Sequence, residues 1–359
     1  MKRILAFALT LALVFALCAC GAKTSGTATS AAPTDAATTT DTASTENFYT
    51  DQIDTSGINV TGKKIVYIAP TLDIEYWQWV EEGVKQACSE YGVSYTTLVS
   101  ENSAATQAEN GETAVTQAVD GVVLSPVSSD SCTTVLDACQ DADIPVTIAA
   151  IGSTADNYFS FISADDYTSG YDAGVCLCDK ALALGGKSIG VLALPMDRSN
   201  AQAKMKGLEK ACKEKGVTIA QTIQTSTLTV SDATDECNDL LTAHPEITGI
   251  YCMYEQAGVA AVDCLETVGL TGKISVVSSD GSPDSISAIR KGTMDGIVVQ
   301  EAVGQGYYAA IEAFKAMSGL KADAKVIQTP EPLVTKDNID NADVQKILSL
   351  VYPASVGAY

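Results

Sequence analysis

The residues of this chain best placed to do chemistry are rings, carboxylates and amides that fall just after runs of β-branched residues. Asp73, Tyr76 and Trp77 follow Lys64-Ile65-Val66-Tyr67-Ile68-Ala69, and Pro126-Val127-Ser128-Ser129-Asp130 follow Gly121–Ser125. Tyr254, Glu255 and Gln256 follow Gly249–Met253, and Asp280-Gly281-Ser282-Pro283-Asp284 follow Ile274–Ser278. Groups of these kinds hold a small molecule. Nucleophilic catalysis of the Ser-His-Asp or Cys-His kind would have to use His244, the single histidine, which stands in Ala243-His244-Pro245 at the far end of a helix from the strand tips. One histidine also excludes a histidine-carboxylate metal cluster, so neither metal nor cofactor is expected. Gly185-Gly186-Lys187-Ser188 precedes a strand instead of opening a helix, and reads as a turn and not a phosphate cradle. The chain is expected not to be an enzyme.

The elements that must position these groups are legible from periodicity. A helix is predicted from Glu75 to Tyr91, with Tyr76, Val80, Val84, Ala87 and Tyr91 at spacings of three and four on one face. Gly92 ends it, where a left-handed cap is wanted. Further strands are predicted at Tyr95–Val99, Pro145–Ala149, Ser188–Ala193, Thr218–Ile223 and Gly296–Gln300, most of them separated by helical patterns. Strict alternation of this kind calls for an α/β fold with parallel sheets covered by helices on both faces. In such sheets ligands collect beyond the carboxyl ends of the strands.

The first residues carry a different signal. Lys2 and Arg3 precede an apolar run from Ile4 to Leu17, too short for a permanent membrane helix of about 20 residues. Residues 1–19 therefore read as an export signal. Leu17-Cys18-Ala19-Cys20-Gly21 resembles the lipobox of bacterial lipoproteins, which implies a diacylglycerol on Cys20 and anchoring by two acyl chains at the outer face of a membrane. From Gly21 to about Glu46 the chain is nearly all Ala, Thr, Ser and Gly, too poor in apolar surface to order itself. A tether is assigned to residues 20–60. The roughly 300 residues that follow suggest two lobes. A formal charge of −22 argues against nucleic acid and against a polybasic membrane-binding surface. Of eleven cysteines, nine remain once Cys18 and Cys20 are set aside, so they cannot all pair. Cys176 and Cys178 form CxC, which lacks the spacing usual for zinc, and most of the nine read as small buried apolar residues.

From about Lys63 to Asp340 the chain resembles the type I periplasmic binding proteins of sugar ABC importers, of the ribose- and galactose-binding kind. The segments that carry the resemblance are Val119-Asp120-Gly121-Val122-Val123-Leu124-Ser125-Pro126, Ala142-Asp143-Ile144-Pro145-Val146, Ser163-Ala164-Asp165-Asp166 with Gly170, Leu240-Leu241-Thr242-Ala243-His244-Pro245-Glu246-Ile247 and Val277-Ser278-Ser279-Asp280-Gly281. It implies two similar Rossmann-like lobes with parallel sheets, joined by a three-strand hinge and closing on a ligand between them. One lobe would hold residues 61–164 and 301–329, the other 165–300 and 330–359. By the same resemblance Tyr76 and Trp77 would stack on the ligand, Asp280 would accept bonds from neighbouring hydroxyls, and Gln300 would be the polar residue of the last hinge strand.

Three departures distinguish this cleft. Ala149-Ala150-Ile151-Gly152 stands where many relatives have an aspartate, so one hydroxyl acceptor is missing. Lys204, three residues before Gly207, replaces an arginine and loses its planar fork. Tyr254, with Glu255 beside it, replaces an asparagine. Arg198 is the candidate to supply the lost guanidinium. A sugar-like polyol is favoured, with a pentose, sugar alcohol, modified or deoxy sugar, nucleoside or furanone-type signal left open. The implied partners are an ABC permease or, alternatively, a chemoreceptor or histidine kinase that reads the closed form. A monomer is expected.

Overall fold

After Lys64, the remaining five residues of β1 (Lys64–Ala69) are buried on both sides of the strand. Ile65, Tyr67 and Ala69 enter one core with helices α1 (Glu75–Tyr91) and α9 (Ala302–Met317). Val66 and Ile68 enter another with α2 (Ala104–Thr116) and α3 (Thr133–Asp141). Every internal strand of a helix-covered parallel sheet faces this demand, which is why these runs read as continuously hydrophobic.

The computed structural model describes residues 53–352. The first sheet runs β2 (Ser94–Val99), β1, β3 (Gly121–Leu124), β4 (Val146–Ala149), β5 (Ser160–Ala164), β11 (Val326–Thr329), all parallel. The second runs β7 (Thr218–Gln224), β6 (Ser188–Ala193), β8 (Gly249–Cys252), β9 (Ser275–Ser279), β10 (Gly296–Val298), β12 (Leu333–Val334), with β12 alone antiparallel. Helices α4 (Asp166–Ala183), α5 (Ser199–Lys215), α6 (Val230–Ala243), α7 (Glu255–Thr267), α8 (Pro283–Lys291) and α10 (Ala342–Val351) cover the second sheet, whose core is continuous. The chain passes between the two sheets three times: at Asp165, over residues 299–301, and over residues 330–332.

One helix pair in each lobe crosses at unusually close range. A Cβ on Gly83 of α1 would lie 1.9 Å from the Val303 carbonyl oxygen of α9, and one on Gly306 would lie 1.9 Å from that of Val80. In the second lobe Gly170 of α4 and Gly207 of α5 meet the same way, each 2.2 Å from a carbonyl oxygen of the other helix, those of Lys204 and Tyr167. The two lobes thus repeat a topology and a packing device.

Some expectations shift. Residues 53–60 fall within the expected tether, yet Ile53 and Val60 are buried in the first lobe's core, and the Asn59 N–H donates to Ser318 Oγ at 2.9 Å. Cys20, the export signal and the rest of the tether lie outside the described residues. The inward face of α1 is Trp77, Val80, Gly83, Val84, Ala87 and Cys88, with Tyr76 and Tyr91 at its margin. Gly92 takes the left-handed cap at φ 66°. All nine described cysteines are free thiols and all but Cys176 are buried, as small apolar residues would be. No described helix is long and apolar enough to cross a membrane.

Candidate ligand-binding cleft

The carboxyl ends of both sheets open on one cleft of about 590 Å³, its mouth included. The first lobe contributes the start of α1, and the second contributes the segments that follow β6, β7, β8, β9 and β10. Of the nine residues singled out from sequence, seven line it: Tyr76, Trp77, Arg198, Tyr254, Glu255, Asp280 and Gln300. Asp73 does not. It is exposed ahead of α1, its N–H turned back to Thr71 Oγ1 at 3.1 Å.

Lys204 also lies outside the lining, for a different reason. Its side chain is wholly buried on α5, with Nζ 3.1 Å from Asp166 Oδ1 and 3.9 Å from Glu331 Oε1. Asp166 opens α4 and Glu331 stands in the 330–332 crossing, so the ammonium ties two passages of the chain to the second lobe. Burial acts to lower the Lys204 pKa, but Asp166, Glu331 and Asp280 override it and hold the ammonium above its usual range. Burial pushes Asp166 up against the pull of Lys204, and pushes Glu331 up to about 8. One cation serves several carboxylates here. It works from behind the cleft as a scaffold.

Within the cleft a hydrogen-bonded line joins the lobes. The Gln300 amide donates to Asp280 Oδ1, while the Tyr76 hydroxyl donates to Gln305 Oε1 at 2.5 Å with Gln300 Oε1 at 3.2 Å as its alternative acceptor. Tyr76 meets Trp77 edge to face, centroids 4.8 Å apart, so each ring is held at a fixed tilt. Asp280 follows β9 in the left-handed region, at φ 59°, which short polar residues tolerate better than others. Burial raises its carboxyl, and Lys204 and the Gln300 bond oppose the rise. Glu255 is also raised by burial, against a hydrogen bond from Ser282 and with Glu75, Asp280 and Asp284 adding to the rise. The Tyr254 hydroxyl donates to Glu236 at 3.3 Å, leaving its ring to line the cleft.

Arg198 supplies the guanidinium of the cleft. It is 6 % exposed, its Nε has no partner, and burial lowers its pKa with only neighbouring Asp197 acting the other way. Its loop is also where the lobes touch. Ser129 N–H donates to the Asp197 carbonyl at 3.3 Å, Ser199 N–H to Ser129 Oγ at 3.0 Å, and Gly152 N–H to Ser199 Oγ at 2.9 Å.

Sequence reasoning missed Ile74, Glu75, Trp79, Leu194, Asn200 and Leu228, which also line the walls. Trp79 is two residues from Trp77, hence off the inward face of α1, and reaches the cleft by packing edge-on against Tyr352 at 4.8 Å. The available signal was the Trp77-Gln78-Trp79 triplet itself.

Two parallel-sheet lobes of one topology, crossed three times by the chain and opening a cleft at their strand ends, define a two-lobed ligand-capture protein. The sequence model of the periplasmic binding protein domain matches residues 65–321, and the chain belongs to that family. It is 23 % identical over 261 residues to the ribose import binding protein RbsB of Escherichia coli K12, covering 73 % of this chain and 87 % of that protein. It is 23 % identical to a xylitol-binding protein of Mycolicibacterium smegmatis, covering 67 % and 68 % respectively. Among solved structures, a carbohydrate transporter solute-binding protein from Agrobacterium radiobacter in complex with D-arabinose superposes with TM-score 0.75 at 21 % identity, covering 79 % of this chain and 98 % of that one. A Bacillus halodurans solute-binding protein with bound myo-inositol gives TM-score 0.71 at 21 % identity, covering 79 % and 97 %. These likenesses establish the fold.

Proposed function

We propose that this chain is the extracytoplasmic substrate-binding lipoprotein of an ABC importer, capturing a sugar or sugar-like molecule between its lobes and delivering it to a membrane permease. The observation that carries the reading is the Tyr76–Gln300–Asp280 line in a cleft walled by Trp77 and Tyr254. Rings cover the C–H face of a polyol while carboxylate and carboxamide groups take its hydroxyls, and charge-assisted bonds are the stronger ones. The relatives' names, ribose import and xylitol binding, support the same ligand class. In this reading residues 61–164 and 301–329 form one lobe and 165–300 with 330–359 the other, and the protein works as a monomer held by a lipid on Cys20. Its turnover is capture and release, with no bond made or broken.

Calorimetry and thermal shift of the purified protein against pentoses, hexoses, sugar alcohols and cyclitols test the reading. The expected result is one ligand bound near micromolar affinity, about −8 kcal/mol. Asp280→Ala and Trp77→Ala should each weaken it by about tenfold or more. A panel without a binder would refute the sugar-like class.

A further inference from the structure

The charges along the cleft are unbalanced. Three lining residues are acids, Glu75, Glu255 and Asp280, and one is basic, Arg198. Arg198 does not neutralise them, since the one charged group that acts on it is Asp197. Lys204 acts on Asp280 from behind the cleft, but its ammonium is also shared with Asp166 at 3.1 Å and Glu331 at 3.9 Å, and it is not among the groups acting on Glu255. The acids act on one another instead: Glu75 and Asp280 both push Glu255 up, and all three act on Tyr352. Tyr352 fixes where they gather, because its oxygen accepts the Gly281 N–H at 2.9 Å and its ring packs on Trp79. One end of the cleft is therefore acidic and ringed by aromatic side chains. The same cleft holds a guanidinium that is nine-tenths buried, with an unpartnered Nε.

Glu75 is exposed while Glu255 and Asp280 are half-buried, so a neutral polyol that displaces water from the cleft would leave the latter pair short of positive charge. A bare metal ion is a poor fit, because among the described residues no three acids converge as a ligand set. An organic ammonium suits both features. It spreads its hydrogen bonds over carboxylates too far apart to share a metal, and it is attracted to the faces of Trp and Tyr rings.

We propose that the ligand is a polyol bearing a protonated amine, an amino sugar or aminocyclitol by class. Its ammonium is received by Glu255, Asp280 and Glu75 beside Trp77 and Trp79, and an acceptor oxygen at its other end meets Arg198. This rests on the reading of the cleft as a sugar-like site, which it narrows.

The test is calorimetry on the full chain with matched probes: D-glucosamine, D-glucose and N-acetyl-D-glucosamine; the corresponding galactose set; and an amino-deoxy-inositol beside myo-inositol. In at least one set the free amine should bind about tenfold or more tighter than its neutral counterparts, as expected for a desolvated charge pair. Glu255→Gln should shrink that ratio to about threefold or less, and circular dichroism melts establish that the variant is folded. Neutral members binding as tightly as the amines would overturn the amine and leave the sugar-like reading standing. Binding of neither kind would overturn both. An amine preference that survives in folded Glu255→Gln would overturn the assignment of the ammonium to this carboxylate.

Discussion

At the tips of β4 and β9 the two lobes share a strained backbone and differ in the side chain it carries. Ala150 follows β4 at φ 71° and Asp280 follows β9 at φ 59°. Aspartate tolerates the left-handed region better than alanine, for which it costs about 1–2 kcal/mol. The first lobe keeps the bend without the carboxylate, so its strand tip offers no side-chain acceptor at this place. Ala150→Gly is expected to raise the unfolding free energy by about 0.5–1 kcal/mol, measured by denaturant titration, because glycine adopts this φ freely. Behind the other wall, Glu331 carries a pH dependence. Its carboxyl has an ordinary value of 4.5 and is pushed to about 8 in the fold by burial, with Lys204 opposing. The folded state therefore holds this proton more tightly, and the associated stability is complete below about 4.5 and lost as pH rises through about 8. Wild-type stability should decline across that interval, and Glu331→Gln should flatten the decline by at least about 1 kcal/mol. Equal pH profiles for the two proteins would show that Glu331 is not the group being titrated.

At the scale of elements, the glycine crossings set the positions of the helices that begin at the cleft. Gly83 and Gly306 let α1 and α9 meet backbone to backbone, which fixes where Tyr76 and Trp77 stand relative to Gln300 and Gln305. Gly306→Ala would set a Cβ 1.9 Å from the Val80 carbonyl oxygen, a contact that no flexible side chain can relieve. It is expected to destabilise by about 1–3 kcal/mol in a denaturant melt and to weaken ligand binding as the helices part. Periodicity made α1 and most internal strands legible, because a strand covered on both sides must be apolar throughout. It did not reveal β5, β11 or β12. Val326-Ile327-Gln328-Thr329 lies at a sheet edge with Val326 46 % exposed, and β12 has two residues, so neither carries a pattern of its own. Their places are set by pairing with β5 and β10, far away or short in sequence. The rule that ligands sit beyond strand tips found Tyr76, Trp77, Tyr254, Glu255 and Asp280. It could not separate Lys204, buried behind the cleft, from Arg198, which lines it. Both follow the same strand, and only tertiary packing decides which cation meets Asp166.

For the whole molecule the question is what makes closure depend on ligand. The contacts of Ser129 and Gly152 with Asp197 and Ser199 join the lobes on either side of the buried Arg198, and in the proposed capture cycle they form as the cleft shuts and the guanidinium leaves water. Burying a charge without a full set of partners is unfavourable, and here one nitrogen goes unmet. Closure alone is then opposed by Arg198, and a ligand oxygen that meets the guanidinium removes the opposition. A ligand shifts such an equilibrium only by its differential affinity for the two states, and this contact exists in one of them. Arg198→Met keeps the length and apolar stem while deleting the charge. The ligand-free variant should be more compact than wild type in small-angle scattering, because closing no longer strands a cation. Its ligand affinity should nevertheless fall, since a charged hydrogen bond worth about 1.5–3 kcal/mol is gone. The two changes run in opposite directions, and a purely structural role for Arg198 would not produce the first. A ligand-free variant as extended as wild type would show that some other group holds the lobes apart.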